Sequence, residues 1–95
     1  TLFRFFRPLN SLDVGCAVGN AVRRSVELGV DAHGIDISDW AVEQAATVRI
    51  RQSDFSEQVI AGQFDLVYSY DVVEHVRPER IGFAINNLWQ ATRRD

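Results

Sequence analysis

Apolar positions along this chain fall in short runs and in longer stretches with helical spacing. Ser11-Leu12-Asp13-Val14 reads as a short apolar strand, then meets Gly15-Cys16-Ala17-Val18-Gly19, a turn with nothing larger than Val. Asn20 to Leu28 reads as a helix: Val22 and Val26 share a face with Ala21, Arg23, Arg24 and Glu27 face water, and Gly29 is a natural stop. Asp31 to Ile35 is a second strand. Ser38 is placed to N-cap a helix from Asp39 to about Ala46, with Asp39 favoured by the helix dipole. Val48 to Arg51 is a third short strand, Ser56 to Ile60 one helical turn broken by Gly62, and Phe64 to Ser69 a fourth strand. Pro78 suits the first turn of a last helix reaching about Thr92, with Ile81, Ala84, Ile85, Leu88 and Thr92 as its apolar stripe.

Strands separated by helices imply an α/β fold with a parallel, right-handed sheet and helices on both faces. Ligands of such sheets lie beyond the C-terminal ends of the strands. Those ends are Val14/Gly15, Ile35/Asp36, Ser53/Asp54 and Ser69/Tyr70, so the polar candidates cluster where a ligand is expected. Gly15 and Gly19 let backbone come close to a ligand or a packing element. A helix start behind them directs N–H groups outward. Asp36, at the end of the second strand, stands where a nucleotide-binding βαβ unit keeps its ribose-binding acid, about 20 residues on. The G-x-x-x-G spacing is not the G-x-G-x-x-G of a dinucleotide site.

Leu12-Asp13-Val14-Gly15-Cys16-Ala17-Val18-Gly19 resembles the first motif of class I S-adenosyl-L-methionine (SAM)-dependent methyltransferases, with Ala17 where that family generally has Gly. The resemblance implies a Rossmann-like sheet. It also implies that Gly15, Cys16, Ala17 and Gly19 approach the cofactor, with Asp13 bracing the loop near the methionine amino group. His33-Gly34-Ile35-Asp36-Ile37-Ser38 is similar to the second motif, which gives Asp36 both ribose hydroxyls, as suits a group that only accepts hydrogen bonds, and places Ile37 beside it. Gln52-Ser53-Asp54-Phe55 looks like the third, with Asp54 on the adenine amino group and Phe55 on the ring. Phe64 to His75 resembles the fourth-strand motif of small-molecule methyltransferases of the ubiquinone-biosynthesis type, which would set Ser69 and Tyr70 beside the cofactor. Read singly, Asp13 is a structural acid, Asp36 a helix-capping acid, and Asp54 with Phe55 a loop acid next to a core ring. The four motifs in order, from Ser11 to about Trp89, carry the resemblance.

Asp71, Glu74 and His75 are spaced i, i+3, i+4 and would share one face of a helical turn. Some relatives bind a metal such as Mg²⁺ with a group of this kind; the alternatives are that His75 lines the acceptor's entrance or serves as general base. The activity implied is methyl transfer from SAM to an oxygen or nitrogen of a small-molecule acceptor. The competing readings are a non-catalytic methyltransferase-like binding module and, disfavoured by the glycine spacing, an NAD-dependent oxidoreductase.

Composition narrows this further. At 95 residues with 46% hydrophobic and 24% charged side chains, the chain fits one globular domain, residues 1–95, with 1–10 as a lead-in whose aromatic start, Thr1 to Arg7, would be a short helix ended by Pro8. A net charge of −3 without a basic stripe argues against nucleic acid as a partner. No apolar run reaches the roughly 20 residues of a membrane span, and no signal-peptide pattern opens the chain. A lone Cys16 cannot form an internal disulfide, which points to a reducing, cytoplasmic setting; in a turn of small residues it is a packing residue before it is a nucleophile. Methyltransferases of this class normally continue with further strands that shape the acceptor pocket. The chain therefore reads as mainly the cofactor-binding half, truncated after the fourth strand and its following helix. The exposed edge of that strand would invite self-association.

Overall fold

The computed structural model describes residues 9–70 and 72–93. The order of elements is β1 (Asn10–Val14), α1 (Asn20–Glu27), β2 (Asp31–Asp36), α2 (Asp39–Ala45), β3 (Ile50–Gln52), β4 (Leu66–Ser69), two 3-10 turns (Val73–His75 and Pro78–Arg80), and α3 (Ile81–Ala91). The strands form one parallel sheet in the order β3-β2-β1-β4. The stretch from Thr1 to Pro8, including the expected helix, lies outside the described residues; β1 already begins at Asn10, inside the expected lead-in, and pairs it with Asp31.

Alternation along β1 divides the core in two. Leu12 and Val14 join Ile35, Phe55, Ile60, Phe64, Ala84 and Ala91 on the face covered by α3. On the opposite face Cys16, Val22, Val30, Ala32 and Ile50 pack together, with Val42 and Ala45 of α2 against them. The cap read for α2 is present: Ser38 Oγ accepts from the Ala41 amide at 3.1 Å.

Three boundaries differ from the sequence reading. The third strand starts at Ile50, not Val48; Ala46 adopts a left-handed φ of 52°, the Arg49 amide turns back onto Thr47 Oγ1 (3.2 Å), and Val48 is 99% exposed. The fourth strand starts at Leu66, because the Asp65 carboxylate caps the amide of Leu9 (2.6 Å) while Asn10 Oδ1 takes the Asp65 amide (2.8 Å); Phe64 makes only an isolated bridge to Thr92. The single turn expected at Ser56 to Ile60 forms two residues earlier, at 54–58, where the Glu57 and Gln58 amides both donate to the Asp54 carbonyl (3.0 and 2.8 Å).

The last helix keeps most of the expected stripe: Ala84 is buried, Leu88 packs on the core, and Ile81 and Thr92 are half-buried. Asn87 and Ala91 are buried beside them, whereas Ile85 is 52% exposed. Two alanines bring the helix backbone close to the core, and a carboxamide, not an aliphatic side chain, takes the position between them.

Candidate cofactor site

The glycine turn is stitched to β2. The amides of Gly15 and Cys16 both donate to the Ile35 carbonyl (2.8 and 3.0 Å), and Asp36 Oδ2 accepts from the Ala17 amide (2.8 Å). Asp36 Oδ1 takes the Ser38 amide at 2.9 Å, so one carboxylate fixes the turn and the start of α2 together. Each oxygen keeps a lone pair for a further donor. Gly15 has φ +83°, and a Cβ there would overlap Val72 Cγ2; the chain after β4 lies directly on this glycine. Ala17 is also left-handed, φ 52°, with its side chain exposed, which is the physical reason a Gly suits this position.

A cavity of about 410 Å³ opens beyond the C-terminal ends of β1, β2 and β3. That volume falls within the roughly 300–1,000 Å³ usual for small-molecule sites. Gly15, Asp36, Ile37, Asp54, Phe55 and His75 line it, six of the residues singled out from sequence. Ile37 is 63% exposed, whereas Phe55 is buried in the core with one side on the cavity. Asp54 Oδ1 accepts from Ser56 N–H (3.0 Å) and Ser56 Oγ–H (2.7 Å), leaving Oδ2 for a ligand. His75 is exposed at the rim, on the 3-10 turn after β4.

Other expected residues stand elsewhere. Cys16 turns away from the cavity into the α1 face, so close to Gly34 that a Cβ on Gly34 would collide with its sulfur. Burial, then Asp13 and Asp36, push its thiol up to about 12, which leaves it without nucleophilic character. Asp13 lies on that same face, in register with Gly34 and Tyr68, and does not line the cavity. Burial and the neighbouring Asp36 raise its carboxyl to about 6. Tyr68 is pushed up to about 12 by burial and by Asp13. Ala17 and Gly19 hold the turn's shape without lining the cavity, and Tyr70 is 81% exposed. Ser69 pairs with Val14, so it shares the cavity's side of the sheet, and its buried Oγ has no hydrogen-bond partner among the described residues. Asp71 lies outside the described residues; Glu74 is exposed, and among the described residues no three His, Cys, Asp or Glu side chains gather as a metal site.

The sequence reading missed Ser53, Ser56, Val72, Val76 and Arg77, all on the cavity wall. The valines were discoverable: spaced four apart around His75, they stand in the motif that follows the fourth strand.

A parallel α/β domain with an acid-lined cavity across its strand ends and a glycine turn stitched to the neighbouring strand is a nucleoside-type binding domain. Residues 12–95 match the family model described as a methyltransferase domain, and the chain belongs to that family. It is similar to the ubiquinone biosynthesis O-methyltransferases of Acinetobacter baylyi (34% identical over 76 residues, 68% of this chain) and of a Caulobacter species (33% over 81 residues, 75% of this chain). The chain spans about a third of their length, 32% of each. Among solved structures, the TehB-like SAM-dependent methyltransferase of Corynebacterium glutamicum superposes with a TM-score of 0.83 at 25% identity, over 92% of this chain and 50% of that one. Magnesium protoporphyrin IX methyltransferase from Synechocystis, solved with bound SAM, gives 0.75 at 26% identity over 90% of this chain and 46% of its own.

Proposed function

We propose that this chain is the cofactor-binding portion of a SAM-dependent methyltransferase acting on an oxygen or nitrogen of a small molecule. The observation that carries the reading is the cavity, with hydrogen-bond acceptors at Asp36 and Asp54 and apolar surface at Ile37, Phe55 and Val72. Two carboxylate acceptors beside apolar surface fit an adenosine group, which brings two ribose hydroxyls, an amino group and a ring.

Asp36 then takes the ribose hydroxyls while it keeps the turn closed. Asp54 takes the adenine amino group, and Ile37 and Phe55 hold the ring. Gly15 gives the backbone approach that Val72 bounds. Asp13, behind the turn, supplies negative charge toward the methionine amino group; Cys16, Ala17 and Gly19 shape the loop, and Ser69 and Tyr70 flank the reacting end. When bound, SAM supplies a sulfonium methyl group for in-line transfer. His75 at the rim accepts the proton of an acceptor hydroxyl. We place the protein in the cytoplasm, its single thiol buried and reduced; no helix among the described residues is long and apolar enough to cross a membrane. Among the described residues β4 is an edge strand, and its four half-buried residues are the surface through which two copies would associate.

Calorimetric titration with S-adenosylhomocysteine tests the site. Asp36→Ala, checked for folding by circular dichroism, is expected to lose about a hundredfold in affinity, the scale of a charged acceptor serving two hydroxyls. Undiminished binding would remove Asp36 from the site. With a phenol as acceptor in a protein containing this domain, His75→Gln is expected to lower turnover about a hundredfold at unchanged cofactor affinity. Equal turnover would sink the base assignment.

A further inference from the structure

The wall that meets the adenine in this reading is held from two sides. Residues 53–62 follow β3 without regular structure; the Asp54 end is tied by bonds within the loop, to Ser56, Glu57 and Gln58, and the stretch from Phe55 to Ile60 is anchored from the far side, by α3 and the turn before it. Asn87 is 4% exposed and spends all its strong hydrogen-bonding on this loop. Its Nδ2 donates to the carbonyls of Phe55 (2.9 Å) and Gln58 (2.5 Å), and its Oδ1 accepts from the Ile60 amide (2.8 Å). At the rim, Arg80 Nε donates to the Ser56 carbonyl at 2.9 Å and meets Glu57 at 3.3 Å, while Arg77 reaches Glu57 at 2.9 Å. Between these anchors sit Asp54, its Oδ1 tied to Ser56, and Phe55, its ring in the core.

We propose that Asn87 is a positioning residue for recognition of the cofactor's base: from the core-facing side of α3 it sets the height of the Phe55–Ile60 loop, so that Asp54 Oδ2 and the Phe55 ring form a wall that reads adenine. This rests on the placement of adenine given above. No apolar residue performs this task, because two carbonyls and an amide point at the position and would be left without partners. A carboxylate would face the two carbonyls and fail as a donor.

The test compares affinities for S-adenosylhomocysteine and S-inosylhomocysteine, whose base offers a carbonyl where adenine offers an amino group. The wild-type chain is expected to prefer the adenosyl compound about tenfold, the worth of one hydrogen bond to a charged acceptor. In Asn87→Ala the preference is expected to fall to within about twofold. A purely structural role predicts something else: a smaller folded fraction weakens both ligands by the same factor and leaves the ratio untouched. An unchanged ratio in a folded Asn87→Ala chain overturns the proposal. If that variant does not fold, Arg80→Met removes the rim anchor alone, and a preference cut by about half supports the proposal where an unchanged one overturns it. Wild-type binding of both compounds alike would instead remove the adenine placement itself, and with it this role.

Discussion

The two faces of β1 are equally buried and chemically opposite. Leu12 and Val14 are 0% exposed against the α3 side, where the core runs up to the cavity. Ser11 and Asp13, one position away each, are 1% and 6% exposed on the α1 side; there Ser11 Oγ has no hydrogen-bond partner among the described residues, and burial and Asp36 push the Asp13 carboxyl up to about 6. The apolar face stabilises the fold. The polar face costs stability and holds an acid directly behind the turn on which a cofactor would rest. One strand thus turns apolar side chains toward the core that borders the cavity and polar ones toward the face behind the turn.

The strongest way to break this comparison is Leu12→Ala. It removes a fully buried side chain from the α3-side core and is expected to cost about 2–5 kcal/mol, a large part of the stability of a domain this size, measured by urea unfolding. A loss below about 1 kcal/mol would mean that this face is not the one holding the sheet.

Asp13→Asn acts in the opposite direction. Because the folded-state carboxyl is raised to about 6 from 3.8, its protonated form stabilises the fold; that contribution is complete below about pH 3.8 and is lost as pH rises through about 6. At pH 7 the wild type bears the full cost of the buried charge. The amide is expected to raise stability at pH 7 on the order of 2 kcal/mol and to weaken cofactor binding about tenfold. Asp31, held below the ordinary carboxylate range by Arg49 on the surface, pulls the other way at acid pH, so the pH profile of the difference between wild type and Asp13→Asn is the quantity to read. A variant less stable at pH 7 would show that Asp13 is a structural brace.

The smallest effect is expected at Ala17, whose left-handed backbone strains a residue with a Cβ. Ala17→Gly relieves that strain against a greater loss of chain entropy, a net gain of at most about 1 kcal/mol in thermal unfolding. A clear loss of stability would mean that the Ala17 methyl packs on something.

Much of the fold was legible because its signals are local. Gly29, Ser38 and Pro78 punctuate the helices, and acids stand at the strand ends. Legibility failed where a tertiary contact decides. Val48 looks like a strand residue, but the left-handed Ala46 throws it into a turn. Ile85 looks like a core residue, but Asn87 takes the buried position and satisfies three backbone groups of a distant loop. At the site, the motifs located Asp36, Ile37, Asp54 and Phe55 on the cavity. They did not separate them from Asp13 and Cys16, because a motif gives order along the chain and not the face of the sheet. Asp36 was read as a ligand acceptor or a helix-capping acid; it does accept from Ser38 at the start of α2, and the bond by which it stitches the turn through Ala17 was not foreseen.

The central claim is that the cavity across the strand ends receives the adenosyl group of SAM. Amide NMR shifts on titration with S-adenosylhomocysteine test it residue by residue. The account predicts saturable changes centred on Gly15, Ile37, Asp54, Phe55 and Val72, with the Val22 and Ala32 amides on the opposite face little changed. A folded spectrum that shows no saturable change at those five, or changes centred on the opposite face, would contradict it.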